Sequence, residues 1–264
     1  MMKSGEEMTE KTDYIGVFDS GVGGISVLRE LVACMPNERF LYFGDSANAP
    51  YGTKPKEQIR RLALNNAKRL MGYNVKAIVV ACNTATAVAI DLLRQTYPDT
   101  IIIGIEPAIK PAVQRFPNGT LAIMATPATL QGEKLQRLMA QNPHSNLVKI
   151  PAPGMVELVE AGLSDSPQMD AFLHNLLDPY AGKLDGLILG CTHYPFAVRS
   201  IRRVLGEQTV LFDGGAGTAR ETRRRLAEKD LLSQGKGEVV IINSSADKSV
   251  MQLCNTLLTE DHHG

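Results

Sequence analysis

Short continuous runs of valine, isoleucine and leucine recur along this chain, and stretches with one apolar face at helical spacing separate them. A run with no polar alternation suits a strand buried on both faces, and such strands belong to parallel sheets flanked by helices. The pattern therefore specifies an α/β fold with mainly parallel sheets, doubly wound. "IGVF" opens into the glycine-rich turn "DSGVGG", and the next stretch places Ile25, Leu28, Val32 and Met35 on one helix face. "FLYFGDS" is a second strand and turn, followed by the helical "PKEQIRRLALNNAKRLMGYN" with Pro55 near its first turn and Gly72 near its end. "VKAIVVACNTAT" is a third strand, and "TAVAIDLLRQTYP" the helix after it.

The cycle then repeats. "TLAIMATPATLQG", "EKLQRLMAQN", "NLVKIPAPG", "MVELVEAG" and "DGLILGCTHYP" read as strand, helix, strand, helix and strand, with a helical "SPQMDAFLHNLLDPYAGKL" before the last. The spacing from Asp19 to Cys82 nearly equals that from Thr126 to Cys191, so the chain divides into two like halves related by a pseudo-twofold. "VLFDGGAGTA" resembles "GVFDSGVGG", which implies that the chain returns to the first half from about Val210. The expected domains are residues 14–105 with 209–264, and residues 106–208; residues 1–13 are expected to be flexible.

Composition removes several classes. The formal net charge is zero and basic residues are interleaved with acidic ones, as in "ETRRRLAEK", so no electrostatic footprint for nucleic acid exists. No apolar run approaches the roughly 18 residues of a membrane span, and the opening "MMKSGEEMTEKTD" has no apolar signal core. The four cysteines, Cys34, Cys82, Cys191 and Cys254, form no C-x-x-C pair, which fits reduced thiols in a cytoplasm. No P-loop or G-x-S-x-G elbow is present.

Two of those cysteines share a context. "VVACNTAT" and "LILGCTHYP" each end an apolar run with a small residue, a cysteine and then hydroxyl or amide residues. In parallel α/β sheets, ligands gather at the carboxyl ends of strands, so facing halves would present both thiols to one cleft. An acid and a base on opposite sides of one carbon suit a racemase. A thiol with an ordinary pKa of about 8.5 needs modest lowering to ionise at neutral pH, and a following helix N-terminus is the expected source. Asn83, Thr84, Thr192 and His193 follow the thiols and could hold a substrate carboxylate. The alternatives are that each cysteine is a small buried hydrophobe, or that Cys191 and His193 belong to a zinc site, although the usual ligand pairs are missing. Cys34 and Cys254 read as helix packing. The glycines of "DSGVGG" suit backbone approach to an anion, and Asp19 suits a substrate ammonium or a helix cap.

Together, "GVFDSGVGG", "GDSANAPYG", "ACNTAT", "TPAT" and "GCTHYP", in this order, resemble the cofactor-independent glutamate racemases of bacteria, within the aspartate/glutamate racemase superfamily. The resemblance runs from Tyr14 to about Leu232. It implies two similar α/β domains with the active site between them, no cofactor and no metal, L- or D-glutamate as substrate, and supply of D-glutamate for peptidoglycan. It also implies a cytoplasmic homodimer without nucleic-acid or membrane partners; some members need a cell-wall precursor as activator, which the sequence does not decide. By motif, Cys82 acts on the D-isomer and Cys191 on the L-isomer, with Asp19 and His193 assisting. Ser20, Pro50, Tyr51, Gly52, Asn83, Thr84, Thr126, Thr129 and Thr192 match substrate contacts. Glu160 matches the acidic residue near the second thiol, and Glu157 is the alternative. After "TPAT" the chain departs from the family's usual serine and tyrosine, with "LQGEKL".

Overall fold

The structure is a computed structural model that describes residues 14–144 and 146–259, so the expectation for residues 1–13 lies outside the described residues. Among the described residues nine strands form two sheets: β1 (Tyr14–Asp19), β2 (Arg39–Gly44), β3 (Ala77–Val80), β4 (Ile101–Gly104), β5 (Leu121–Ala125), β6 (Leu147–Pro151), β7 (Gly186–Leu189), β8 (Val210–Asp213) and β9 (Glu238–Asn243). The first sheet has the order β4-β3-β1-β2-β9 and the second β6-β5-β7-β8. Among the described residues every strand pairs parallel to its neighbours. Taken from its other edge, the second sheet repeats the first four positions of the first, with β5 as the counterpart of β1 and β7 of β3.

The unbroken apolar runs are explained by burial on both sides. In β2, Phe40 and Tyr42 pack into the core on one face of the sheet, while Leu41 and Phe43 pack into the core on the other. The amphipathic helix Ile25–Cys34 covers the first face with Leu28 and Leu31. Helix Lys56–Met71 covers the second with Ile59, Leu62 and Leu70.

The structure corrects the return point. β8 pairs with β7 in the second sheet, so it is the counterpart of β4, and the chain rejoins the first half with the helix Gly215–Ala227 rather than at residue 209. The likeness of "FDGGAG" to "FDSGVGG" is local: Asp213 Oδ1 accepts from the Gly215 N–H and Asp19 Oδ1 from the Gly21 N–H, the same Asx turn. Strand β4, the helix Ile109–Arg115 and strand β9 were not anticipated. The two crossings between halves touch, because a side chain at Gly214 would run into the Glu106 carbonyl.

A buried ion pair fastens the returning segment. Lys76 Nζ lies 2.6 Å from Glu38 Oε2, with the side chains only 10% and 2% exposed. Lys76 also donates to the Leu231 carbonyl, and Glu38 accepts from the Ser233 N–H. Removing one partner strands a buried charge, which costs more than the intact pair contributes. Glu38→Ala is expected to lose about 3 kcal/mol, read as a fall of roughly 6–12 °C in the melting midpoint; an unchanged midpoint would show that the pair does not hold this segment.

Candidate active site

Strand ends build the site from both halves. β3 runs out through Ala81 to Cys82, which caps the helix Asn83–Thr96 and accepts at Sγ from the Ala85 N–H at 3.4 Å. β7 runs out through Gly190 to Cys191, with Thr192 and His193 next. Both thiols line one cavity, together with Ser20, Pro50, Tyr51, Gly52, Asn83, Thr84, Thr126, Val156, Thr192 and His193. The repeated strand order explains this meeting: equivalent strand ends of like halves face each other across the cleft.

Each thiol leads to a carboxylate. On the first wall, Cys82 Sγ contacts Ser20 Oγ at 3.6 Å, and the Ser20 hydroxyl donates to Asp19 Oδ1 at 3.3 Å. On the second, Cys191 Sγ lies 3.7 Å from His193 Nδ1, and His193 Nε2 lies 2.6 Å from Glu160 Oε1. The glycine-rich turn does receive an anion, and the anion is internal: Val22 N–H donates to Glu160 Oε1 at 2.7 Å. Gly21 and Gly23 are required by this approach, since side chains there would collide with the Glu160 carboxylate and the His193 ring respectively. Glu157 lies a turn away in the same helix, and the carboxylate on His193 is that of Glu160.

The electrostatics differ from the expectation for Cys82. Burial pushes its thiol up, and the Asp19 charge adds to that; the hydrogen bonds from Ala85 and with Ser20 act in the opposite direction but do not prevail. The helix N-terminus therefore does not make a resting thiolate, because the closed cleft withholds water from it. Burial likewise raises Asp19, against the His193 charge and the hydrogen bonds from Gly21 and Thr192. His193 is pulled down by burial, but its bonds to Cys191 and Glu160 outweigh that and hold it well above the usual imidazole range.

The remaining site residues divide between the cavity wall and its support. Asp19 does not line the cavity; its Oδ2 accepts from Thr192 Oγ1 at 3.0 Å across the cleft. Thr129 stands behind the wall, within 3.0 Å of Thr126 Oγ1 and 3.3 Å of Thr84 Oγ1, while Thr84 and Thr126 meet at 3.0 Å. Tyr51 lines the cavity, but its hydroxyl is committed to Asp45 at 2.5 Å and accepts from Asn66. Asn83 Oδ1 is buried without a hydrogen-bond partner. The cavity holds only about 10 Å³ of free volume, so the cleft must widen to admit an amino acid. A groove of about 700 Å³ elsewhere, lined by Lys56, Arg60, Asp91, Arg94, Glu133 and Arg137 among others, contains neither thiol. Val156 and Ser26 were missed. Val156 is four residues before Glu160 on one helix, so helical spacing would have placed it beside the acid; Ser26, which donates to the Thr192 carbonyl at 2.8 Å, gives no such signal. Among the described residues no group of three or more His, Cys, Asp or Glu side chains is arranged to hold a metal ion.

A proton-carrying side chain on each wall of one cavity is the arrangement of the two-base isomerases. The chain belongs to the Asp/Glu/hydantoin racemase family, whose model matches residues 15–222. It is 45% identical to the glutamate racemase of Clostridium perfringens over 252 residues, 94% of this chain and 97% of that one. It is likewise 45% identical to the Clostridium acetobutylicum glutamate racemase, over 95% of this chain and 99% of that one. Among solved structures it resembles Francisella tularensis glutamate racemase in complex with D-glutamate, with a TM-score of 0.82, 30% identity and 95% coverage of each chain. It also resembles the Escherichia coli enzyme in complex with L-glutamate and the activator UDP-MurNAc-Ala, with a TM-score of 0.80, 32% identity and coverage of 93% and 94%. The family resemblance read from the motifs is met.

The His193 shift has a stability consequence. A pKa raised on folding contributes stability that is complete below the unfolded value near 6.5 and is lost as pH rises through the higher folded value. Glu160→Gln removes a cause of the rise. The stability gap between the parent and this variant, measured by urea unfolding, is therefore expected to be widest near pH 6 and to narrow towards pH 9.5; a gap that widens with pH would refute the assignment.

Proposed function

We propose that this protein interconverts L- and D-glutamate without a cofactor, by passing the Cα proton between Cys191 and Cys82. The observation that carries this reading is that both thiols, one from each half, line one cavity. Glutamate as the substrate is supported by relatives named glutamate racemase that match almost the whole chain.

From L-glutamate, the Cys191 thiolate takes the Cα proton, and the electron pair left on carbon spreads into the substrate carboxylate. Cys82, held as a thiol by its burial and the Asp19 charge, delivers its proton to the opposite face. The product is D-glutamate, with Cys191 now a thiol and Cys82 a thiolate. That is the starting state for the reverse reaction, so protons must redistribute before the next forward turnover. The two chains of contact supply routes: Ser20 to Asp19 from the first thiol, and His193 to Glu160 from the second. The unpartnered Asn83 Oδ1 suits a substrate ammonium, and an orphaned buried acceptor costs about 1–3 kcal/mol until a donor arrives. Thr84, Thr126 and Thr192 suit the carboxylates, with Thr129 supporting the first two. Supply of D-glutamate for peptidoglycan, in a cytoplasm that keeps the four free cysteines reduced, completes the reading.

Incubation with L-glutamate in D₂O tests it. Circular dichroism should decay to zero while deuterium enters Cα. Cys82→Ala and Cys191→Ala should each lower turnover by at least about 10³-fold, the scale of a lost positioned acid or base. Normal racemisation by either variant would remove the two-thiol scheme, and turnover of aspartate in preference to glutamate would reassign the substrate.

A further inference from the structure

Glu160 is held by more than the glycine turn. Its second oxygen, Oε2, accepts from Ser46 Oγ at 3.4 Å, and Ser46 Oγ in turn accepts from Asn243 Nδ2 at 3.1 Å. Ser46 lies in the turn after β2, and Asn243 is the last residue of β9, in the segment returning from the second half. The direction of each bond is determined. Asn243 Oδ1 accepts from the Ser245 N–H at 2.8 Å, so the amide must present its NH₂ group to Ser46. With an amide proton filling one lone pair of Ser46 Oγ, the hydroxyl proton is free to point at the carboxylate. Glu160 then receives hydrogen bonds from Ser46, Val22 and His193. A proton on His193 Nε2 leaves Nδ1 as the atom facing the Cys191 sulfur.

We propose that Ser46 and Asn243 are positioning residues: through Glu160 they fix the His193 tautomer and set how readily the imidazole exchanges a proton with Cys191. The proposal rests on the two-thiol reading for its catalytic meaning, but the hydrogen-bond chain is a property of the folded protein alone. The anchors of this chain lie at the strand ends and in the C-terminal helix Lys248–Thr259, where Cys254 is hydrogen-bonded to the Asn243 side chain. The backbone around Asn243 is clamped, since the Ser244 N–H donates to the Gly44 carbonyl and the Ser244 hydroxyl accepts from the Ala47 N–H. Gly44 has no side chain because one would strike the Asn243 amide and the Gly21 carbonyl.

Other ionisable groups face the same carboxylate and ring. Asp19 comes from β1, Tyr42 from β2, Cys191 from the turn after β7 and Cys254 from the C-terminal helix Lys248–Thr259. Tyr42 and Cys254 are raised, chiefly by burial, the latter to about 12, and so stay neutral through the working range. Changes in the His193 titration caused by Ser46 variants are thus read against Asp19, Glu160 and Cys191.

Removing the Ser46 hydroxyl takes one hydrogen bond from the Glu160 carboxylate, which makes it a stronger base and strengthens its hold on the imidazolium proton. Ser46→Ala is expected to move the NMR titration of His193 to higher pH, and with it the limb of the kcat/KM profile where that proton is lost. Turnover number should fall about five-fold, the worth of one hydrogen bond, with KM for glutamate unchanged. Ser46→Thr, which keeps the hydroxyl, should restore both the titration and the rate. Asn243→Asp replaces the amide donor by an acceptor, turns the Ser46 proton away from Glu160, and should shift His193 in the same direction as Ser46→Ala. A titration and pH profile unmoved in Ser46→Ala, with the melting midpoint retained, would overturn the proposal. The NMR titration needs no turnover: a shifted His193 in a protein that does not racemise glutamate would leave the relay standing and remove the function, whereas active but unshifted variants would do the reverse.

Discussion

The contact between the Glu160 carboxylate and the glycine turn after β1 is the constraint on which the site depends. It comes from the second half, enters the first where Gly21 and Gly23 leave room, and ends on a backbone N–H and an imidazole. One interaction therefore joins the halves, orients His193 and sets an imidazole–carboxylate pair beside Cys191. Even a partly buried carboxylate is costly unless it is well hydrogen-bonded, and this one collects donors from both halves. Thr192 to Asp19 and Ser26 to the Thr192 carbonyl repeat the theme, so the polar atoms that bridge the halves are also the atoms around the chemistry.

Much of this was legible in the sequence for one reason: strands buried on both faces leave a run with no polar interruption. β1, β2, β3, β5 and β7 announced themselves that way, and so did the two strand ends carrying Cys82 and Cys191. β4 and β9 carry unbroken runs of the same kind, Ile101–Ile103 and Val239–Ile242, and were not anticipated. Each lies at a sheet edge, and β9 is only partly buried. The mistaken return at residue 209 has a related cause, because an Asx turn of aspartate and glycine looks the same wherever a strand passes into a helix.

The site was legible as a set of residues but not as a set of roles. The motifs gave Asp19 as assisting the thiols and Ser20 as a substrate contact; the structure puts Ser20 on the cavity wall and links it both to the Cys82 sulfur and to Asp19. Burial, which no motif records, reverses the expected effect of the helix N-terminus on that thiol. Ser46 and Asn243 are far apart in sequence and meet only because β9 adds to the edge of the first sheet beside β2.

Glu106 and Gly214 bring the two connections between the halves into contact, so the chain passes from one half to the other and back at a single place. Two backbone segments meeting there leave fewer relative arrangements of the halves than one tether would, so much of the entropy of aligning the two cavity walls is lost once, on folding.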